Sequence, residues 1–405
     1  MKIAIITLLF TISTLAQSFA SVRCDTLQAQ PDKFDKIAGS KTFNALYAGT
    51  PMLIGGMAIY GADRNLKDSP TTFAKHYDTQ FEDYLQYTPG VALLAMKIAG
   101  VESRSSWPRL LVSDAFSAVI MIGVSENLKR AVNEMRPDGE DDRSFPSGHA
   151  AVSYMMATML HKEYGHISPW ISFGGYAVAA TTATSRIIHN RHWMSDILVG
   201  AGIGVLSTEL GYFIGDIIFK EKGISEYFSA QDFCRWDSPS FLSVDIGMRL
   251  SLTNYTFPGG KVELSTGANT GIQGAYFFNS YIGIGGNTGI SVMPVKYNGN
   301  LAQKPMKAGR LYCGAYFSYP VFARLGIGAK ITAGYNYYGE CALTDYTIGG
   351  KSAPGFETGL SISFKSTENF GARIFCDYGF TGSFVPGNDR IAQSIVIGGA
   401  TSINF

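Results

Sequence analysis

The first half of the chain carries long apolar runs, and the second half carries short segments in which apolar and polar residues alternate. Six apolar runs stand out before residue 220. Their ranges are 43–62, 87–101, 110–124, 150–160, 167–185 and 197–218. Runs of more than about ten mostly apolar residues are typical of helices that bury most of their surface. The sequence therefore predicts a bundle of about six helices over residues 43–219.

Charge is scarce in these runs, which points to a membrane. Only 16% of the residues in the chain are charged, whereas about a quarter is usual in soluble proteins. The segment 42–62 has no charged residue, over about the 20 positions that a bilayer-spanning helix needs. Other runs are interrupted by Lys97, Asp114 and Glu209. A bundle embedded in or seated on a membrane is favoured, and a soluble bundle rich in Gly and Ala is the alternative.

Alternation with a period of two begins near residue 241 and continues to the C-terminus. Nine segments show it, with ranges 241–252, 261–268, 271–278, 281–292, 307–318, 321–335, 355–364, 370–379 and 391–405. The pattern predicts antiparallel strands joined by hairpins. A barrel of about eight strands is favoured, with one segment belonging to a loop or a bent strand. A soluble β-sandwich is the alternative, because alternation alone is a weak signal.

The last segment favours the barrel. Alternate positions from Ile395 to Phe405 share one face of a strand, and the chain stops on Phe405. This ending resembles the terminal strand of bacterial outer-membrane barrels, which commonly close on Phe. The predicted fold class is two-domain α plus β, with an N-terminal all-α bundle and a C-terminal antiparallel β-barrel.

The first 20 residues have the pattern of a secretory signal peptide. Lys2 supplies a short basic region, an apolar run covers 3–15, and Ser18, Phe19 and Ala20 form the ending. We expect cleavage after Ala20, with an uncleaved anchor as the alternative. Composition sets the other boundaries: a lead segment at 21–42, the helical domain at 43–219, a linker at 220–239 and the barrel at 240–405.

Net charge and cysteine content exclude two classes of site. A net charge of +1 gives no overall field for nucleic acid, so anion binding must be local. The five cysteines are odd in number and show no CxxC spacing, so they predict no zinc site. A disulfide between Cys24 and Cys234, where the two domains meet, stays open.

Three clusters of cationic and proton-carrying side chains lie between residues 129 and 196. In the first, Lys129 and Arg136 precede Pro137. Arg offers a planar fork to phosphate oxygens and Lys offers a point charge. A basic pair at a membrane edge also occurs simply because long cationic side chains reach for water, so this cluster alone does not decide between the two interpretations.

The second cluster is Pro146, Ser147, Gly148 and His149, directly before a predicted helix. Ser147 is a good N-cap, Gly148 allows close approach to the backbone, and the free amides of a helix start favour an anion. His149 would stand beside that anion. An ordinary capped helix with a surface histidine explains the tetrapeptide equally well.

The third cluster contains Arg186, His192 and Asp196. Helical spacing places His192 and Asp196 on one face, so the carboxylate can accept from one ring nitrogen and leave the other to attack. A His/Asp pair at this spacing is often structural. Arg186 and the two other clusters favour a functional interpretation.

Together, the patterns K-x6-RP, PSGH and SR-x5-H-x3-D resemble the three-part signature of the type 2 phosphatidic acid phosphatase family, related to bacterial acid phosphatases and vanadium haloperoxidases. The resemblance covers about residues 85–218 and leaves out the barrel. It implies that His192 is the nucleophile, that Asp196 orients it and that His149 protonates the leaving oxygen. It also implies a set of phosphate-binding residues: Lys129, Arg136, Ser147, Gly148 and Arg186.

The predicted function is a metal-independent phosphatase, without a cofactor, that uses a phosphohistidine intermediate. Its expected partners are a membrane and a phosphorylated lipid, either lipid A phosphate or undecaprenyl diphosphate; no protein partner can be identified. One alternative is a broad-specificity periplasmic acid phosphatase, and a lesser one is a vanadium haloperoxidase. A rival outside the enzymes is an outer-membrane structural or binding barrel with an inactive phosphatase-like domain.

The expected location is the Gram-negative cell envelope after export, at the outer membrane. A barrel with an even number of strands has its N-terminal end on the periplasmic side. We therefore expect the helical domain on that side, beneath the outer membrane or against it, with a periplasmic active site.

Overall fold

The computed structural model describes most of both predicted domains. The described residues are 49–64, 81–189, 191–220, 222–224, 239–257, 260–302, 305–321, 325–343, 347–348, 350–367, 370–385 and 390–405. The predicted signal peptide and lead segment lie outside them, as do Cys24 and Cys234. The described Cys313 and Cys376 are exposed free thiols.

The N-terminal part is helical, as predicted. The described helices are α1 (Thr50–Arg64), α2 (Phe81–Leu85), α3 (Thr88–Ile98), α4 (Trp107–Val132), α5 (Gly148–Tyr164), α6 (Pro169–Ile188) and α7 (Met194–Phe219). Each of the six apolar runs corresponds to one of the longer helices, and the short α2 is an addition. By length and composition, α4 and α7 are apolar enough to cross a membrane.

Helix α4 continues beyond the end of its apolar run at residue 124. The next residues include Glu126, Lys129 and Arg130, which are good helix formers although they are charged. The helix stops at Asn133, whose φ of 45° is left-handed and whose amide donates to the Lys129 carbonyl. This extension carries Lys129 one turn short of the helix end.

Helix α7 is the centre of the bundle and packs against α1, α4 and α5. Its glycines allow the close approach. A Cβ on Gly200 would collide with the Ser147 carbonyl oxygen, and one on Gly204 would collide with that of Ala151. Close packing of this kind at small residues fixes the start of α5 against the start of α7.

The C-terminal part is a closed barrel of eight antiparallel strands, as predicted, in the order β1-β14-β13-β12-β9-β8-β5-β4. These strands are β1 (Phe241–Ser251), β4 (Gly267–Phe277), β5 (Ile282–Met293), β8 (Met306–Pro320), β9 (Leu325–Tyr338), β12 (Lys351–Thr367), β13 (Phe370–Thr381) and β14 (Ala392–Asn404). Strands β1 and β14 pair from Phe241 with Asn404 to Ser251 with Ser394, and β1 with β4 completes the ring.

Six shorter strands lie outside the barrel wall. They are β2 (Asn254–Phe257), β3 (Gly260–Leu264), β6 (Val295–Tyr297), β7 (Asn300–Leu301), β10 (Cys341–Ala342) and β11 (Thr347–Ile348). Four of them form the sheet β2-β3-β6-β7, and the other two pair with each other. The ninth predicted segment, 261–268, is divided between β3 and the start of β4, which explains the extra candidate.

The two ends of the barrel differ in their connections. The links 278–281, 321–324 and 368–369 are short, and they lie at the end where Phe241 and Phe405 stand. The links 252–266, 294–305, 339–350 and 382–391 are longer and lie at the opposite end; they include all six short strands. We call these the short-turn end and the long-connection end.

The barrel interior is polar and filled with side chains. Lys330 Nζ lies 2.7 Å from both a Glu357 oxygen and an Asp377 oxygen, and all three side chains are buried. Arg310 donates to the Asn269 side chain at 2.6 Å. Small barrels of eight strands have an interior just wide enough to be filled in this way.

The helical domain lies beside the barrel and contacts its outer wall. Helix α6 packs on β1, β14 and β4, and the Trp170 ring stands 6.3 Å from the Phe405 ring. Val244, Ile246 and Met248 of β1 share one core cluster with residues of α5, α6 and α7. The helical domain therefore packs against the side of the barrel, where the apolar outer face of β1 is available for contact.

Candidate active site

Four helix ends meet at one place and bring the predicted site residues together. These are the C-termini of α4 and α6 and the N-termini of α5 and α7. The Ser147 amide donates to the Asp196 carbonyl at 3.0 Å, which ties the two N-termini together. A Cβ on Gly148 would lie 3.3 Å from Lys129 Nζ, so that ammonium group stands directly over the start of α5.

The start of α5 is capped as predicted. Ser147 Oγ accepts from the Ala150 amide at 3.4 Å, and Ser147 itself is fully buried. Helix N-termini carry a partial positive charge and free amide hydrogens. With Lys129 beside Gly148, this end of α5 forms a positively charged surface suited to an anion.

The ring of His192 is buried and is oriented by a backbone carbonyl. Its Nδ1 lies 2.8 Å from the Ser144 oxygen, and the residue is only 4% exposed. A carbonyl oxygen accepts only, so Nδ1 must carry a proton. In the neutral ring the lone pair is then on Nε2, which is the nitrogen available to attack a substrate.

Asp196 was expected to accept a hydrogen bond directly from the His192 ring, but the two side chains stand at ion-pair distance. Its Oδ2 is 3.6 Å from His192 Nδ1. The same oxygen accepts from the Trp193 amide at 2.9 Å and from Ser144 Oγ at 2.5 Å. His192 precedes the N-cap Trp193 of α7, and the bond from the Trp193 amide to Asp196 keeps the two side chains close. The closer partner of the ring is the Ser144 carbonyl. Asp196 therefore holds Trp193 and Ser144, which lie on either side of the imidazole, and it stays within ion-pair distance of His192.

Charge and burial both act on the pKa of His192. Burial is the largest cause and lowers the pKa from its ordinary value of 6.5. Asp196 opposes this effect, whereas the positive charges of Arg136 and Arg186 lower the pKa further. The imidazole therefore stays neutral at neutral pH, and both arginines act electrostatically on it.

A carboxylate from outside the predicted site lies between two of its members. Asp83 Oδ1 stands 2.7 Å from His149 Nε2 and 3.8 Å from Arg186 Nη1. Asp83 belongs to α2, 66 positions before His149. Sequence reasoning missed it, because a single acid in a segment without periodicity gives no signal.

The loop between α4 and α5 holds Arg136 in an ion pair. Arg136 Nε lies 2.8 Å from Asp141 Oδ1. Partial burial raises the pKa of Asp141. The backbone hydrogen bond from Arg143, together with the charge and the hydrogen bond of Arg136, outweighs this effect, so the pKa is lowered. In the same loop Glu134 is buried and accepts from the Tyr60 hydroxyl at 2.8 Å. Glu134 is therefore buried, whereas Asp138, Glu140 and Asp142 of the same loop are exposed.

Within the described parts of the chain, no group of three or more His, Cys, Asp and Glu residues is arranged to hold a metal ion. The positive charges that stand at this site belong to Lys129, Arg136 and Arg186.

Comparison with known proteins gives the family of the helical region. The model of the PAP2 superfamily matches residues 109–214. This chain carries a PAP2 superfamily domain. All eight predicted site residues lie inside the matched segment, whereas Asp83 lies outside it.

A curated relative extends the similarity beyond the PAP2 domain. The Lipid A 1-phosphatase of Porphyromonas gingivalis is 34% identical over 267 residues, which are 65% of this chain and 60% of the relative. The chain thus matches about three fifths of that relative's length. Because the alignment is longer than the segment 109–214, it includes residues on at least one side of the PAP2 domain.

Several solved structures resemble parts of this chain. Neisserial surface protein A is 10% identical, with a TM-score of 0.31, and the match covers 42% of this chain and 98% of that one. The PAP2 type phosphatidylglycerolphosphate phosphatase from Bacillus subtilis is 18% identical, with a TM-score of 0.30, covering 44% and 100%. Aquifex aeolicus LpxE is 21% identical, with a TM-score of 0.28, covering 38% and 93%.

Proposed function

We propose that this chain is a lipid phosphatase that forms a phosphohistidine intermediate on His192. The observation that carries the proposal is the buried ring whose Nδ1 is committed to the Ser144 carbonyl at 2.8 Å. That bond leaves the lone pair on Nε2, as a nucleophile requires. The PAP2 family match and the curated relative support the same reaction class.

In the first step His192 Nε2 attacks the phosphorus atom, and the bond from phosphorus to the lipid oxygen breaks. His149 donates its proton to that oxygen. The leaving group is then the lipid alcohol, or the lipid monophosphate if the substrate is a diphosphate. The negative charge on the equatorial oxygens is stabilised by Lys129, Arg136, Arg186 and the amides at the start of α5. Each of these groups lies at the converging helix ends described above.

In the second step water attacks the phosphohistidine, and His149 accepts its proton. The bond from nitrogen to phosphorus breaks, inorganic phosphate leaves, and His192 returns to its starting state. Asp83 bears on both steps, because it contacts His149 and stands near Arg186. A phosphate oxygen bound by both of these side chains would displace the Asp83 carboxylate.

The proposed substrate is a lipid A phosphate at the outer membrane. The curated relative is a lipid A 1-phosphatase, and the barrel provides a membrane anchor of the outer-membrane type. Apolar side chains such as Leu111, Val119 and Ile122 of α4 are more than half exposed. Such a surface suits contact with acyl chains. Undecaprenyl diphosphate is the second lipid candidate.

The test measures phosphate release by the purified full chain from lipid A, from undecaprenyl diphosphate and from a small chromogenic phosphate ester. We expect efficient release from lipid A and an activity lower by about 10³-fold or more in His192→Ala. Asp142→Asn, a change at an exposed loop acid, is the matched control and should leave the rate unchanged.

Three results would contradict the proposal. Equal efficiency on the lipids and the small ester would indicate a broad-specificity acid phosphatase. Release that persists unaltered in His192→Ala would rule out the proposed nucleophile. A wild-type chain that is folded but releases no phosphate from any of the three would favour a binding barrel with an inactive domain.

A further inference from the structure

We propose that the active site opens to the outward-facing leaflet of the outer membrane and takes its phosphorylated lipid from that leaflet. The proposal rests on the function proposed above and adds the side of the membrane from which the substrate comes. It replaces the periplasmic site that the sequence suggested. Three features of the fold carry it: the polarity of the barrel, the side-on packing of the helices and the direction of α6.

The connections of the barrel define which end faces outward. Transmembrane barrels of this type have short periplasmic turns and longer extracellular loops. The links 278–281, 321–324 and 368–369 lie at the end where Phe241 and Phe405 stand. The four long links, with their six additional strands, lie at the other end. The short-turn end is therefore periplasmic, and the long-connection end is extracellular.

The helical domain shares the membrane layer with the barrel. Outward-facing residues on uncovered strands are exposed, as at Leu311 (68%) and Leu360 (65%). On β1 the corresponding residues Val244, Ile246 and Met248 are at most 8% exposed, because they join the core cluster of α5, α6 and α7. The helices thus cover a part of the barrel wall that would otherwise face acyl chains.

The direction of α6 places the site across the membrane from the short-turn end. Trp170, at the start of α6, contacts the Phe405 ring at the short-turn end. Arg186 follows 16 residues later on the same helix, which is about 24 Å at 1.5 Å per residue. The apolar band of such a barrel is about 25 Å tall. Arg186 therefore lies near the far edge of that band.

Helix α6 runs mainly along the barrel wall and not across it. It packs mainly on the neighbouring strands β14, β1 and β4, which together span only about 10 Å. Its 20 residues are about 30 Å long. The helix must therefore run mainly along the barrel wall.

Helix α7 defines the end of the bundle that lies opposite to the site. It starts beside the site at Met194 and ends at Phe219. The chain then passes to β1, which begins with Phe241 at the short-turn end. The Arg109 guanidinium, near the start of α4, donates to the Lys222 carbonyl at 2.9 Å. The end of the bundle opposite to the site is also the end at which α6 starts, and the contact of Trp170 with Phe405 places it at the short-turn end.

This geometry selects between two sources of lipid phosphate. The phosphorylated glycolipid of the outward leaflet presents its head group at the level of Arg186 and His192. A polyprenyl diphosphate presented from the periplasm would meet the opposite end of the bundle, about 24 Å away by the helical rise. The site thus fits the outward-leaflet glycolipid.

The test labels single introduced cysteines in intact cells that carry the full chain. Asp142→Cys marks the exposed loop at the site, and Lys222→Cys marks an exposed position at the opposite end. A membrane-impermeant maleimide is applied before and after lysis, and labelled peptides are identified by mass spectrometry, which separates them from the native cysteines. Both variants must be folded, which is checked by wild-type phosphatase activity. If the wild-type chain has no activity, the check is wild-type thermal stability.

We expect Asp142→Cys to be labelled in intact cells and Lys222→Cys to be labelled only after lysis. The reversed pattern, or labelling of both only after lysis, would overturn the proposed orientation. The readout is independent of catalysis. A chain with the expected labelling but no phosphatase activity would refute the proposed function alone, and an active chain with the reversed labelling would refute the orientation alone.

A second experiment tests the source of the lipid. Lipid A phosphate is followed by mass spectrometry in cells whose glycolipid transport to the outer membrane is running or blocked. We expect removal of one phosphate only while transport runs, and no removal in cells with His192→Ala. Dephosphorylated lipid that accumulates while transport is blocked would contradict an outward-leaflet source.

Discussion

Two atoms of Ser144 connect His192 to Asp196. The carbonyl oxygen accepts from Nδ1 of His192, and the hydroxyl donates to Asp196. Only the second contact depends on the identity of residue 144. The orientation of the His192 ring therefore depends mostly on the backbone.

Replacement of Ser144 tests this division of roles. Ser144→Ala keeps the carbonyl, so we expect kcat/KM to fall by no more than about 10-fold. This is the smaller end of the range, about 10- to 100-fold, that follows removal of the hydrogen-bond partners of metal-bound histidines. The measurement is the steady-state rate on lipid A, with His192→Ala as the reference for complete loss. If Ser144→Ala were as inactive as His192→Ala, the hydroxyl and not the carbonyl would hold the ring.

If His192 is the nucleophile, we expect its lowered pKa to set the acid limit of activity. Burial, Arg136 and Arg186 lower this pKa below 6.5 against the opposing effect of Asp196, so the neutral nucleophile persists as the pH falls to 6.5. We expect the acid limb of kcat/KM to have its midpoint below 6.5, since this parameter reports the free enzyme. Arg136→Gln removes a charge that lowers the pKa, so the midpoint should move to higher pH. A wild-type midpoint above 6.5 would contradict the assignment.

Among the site residues, the sequence predicted those that act through type and spacing. Lys129, Arg186 and His192 belong to the spaced patterns that resemble the three-part signature of the phosphatase family. Asp83 and the Ser144 carbonyl could not be predicted in the same way. Asp83 joins the site only through tertiary packing of α2, and a backbone carbonyl leaves no mark on the residue type.

At the scale of elements, periodicity predicted the six long helices and the eight barrel strands, because each helix carries a long apolar run and each strand alternates polar inward residues with apolar outward ones. The ends were less predictable. Helix α4 runs on to Val132 through charged helix formers, where an apolar run gives no guide. The small strands such as β3 were missed or merged because segments of two to five residues are too short to show a period.

The glycines of α7 allow the contact between α5 and α7, and one pair of substitutions tests this. A Cβ at Gly204 would collide with the Ala151 carbonyl, whereas a Cβ at Gly174 of α6 would meet nothing within 4 Å. We expect Gly204→Ala to destabilise the helical domain by about 1–3 kcal/mol. Gly174→Ala should leave stability unchanged or raise it slightly, because Ala is the better helix former.

Thermal unfolding of the purified chain in detergent measures both variants. The Gly204→Ala variant should lose activity at a lower temperature than the wild type, and the matched Gly174→Ala control should not. Equal midpoints for the two variants would show that α5 and α7 do not depend on this close approach.

At the scale of the whole molecule, the barrel and the bundle form one membrane-bound unit. The barrel interior is filled by buried ion pairs such as Lys330 with Glu357, so the barrel does not form an open pore. Its outer face at Val244, Ile246 and Met248 supports the helices that carry the site. The sequence predicted both parts, but it could not predict their side-on contact, because outward residues on β1 look the same whether they face lipid or helix.

The central claim is that the chain transfers a lipid phosphate to His192, and trapping the intermediate tests it most directly. Lipid A carrying radioactive phosphate is mixed with the full chain, quenched in alkali within the first turnover and digested, since phosphohistidine survives alkali. We predict label on the peptide that contains His192, and none in His192→Ala. Turnover by the wild type without label on that peptide, or label that persists in His192→Ala, would contradict the claim.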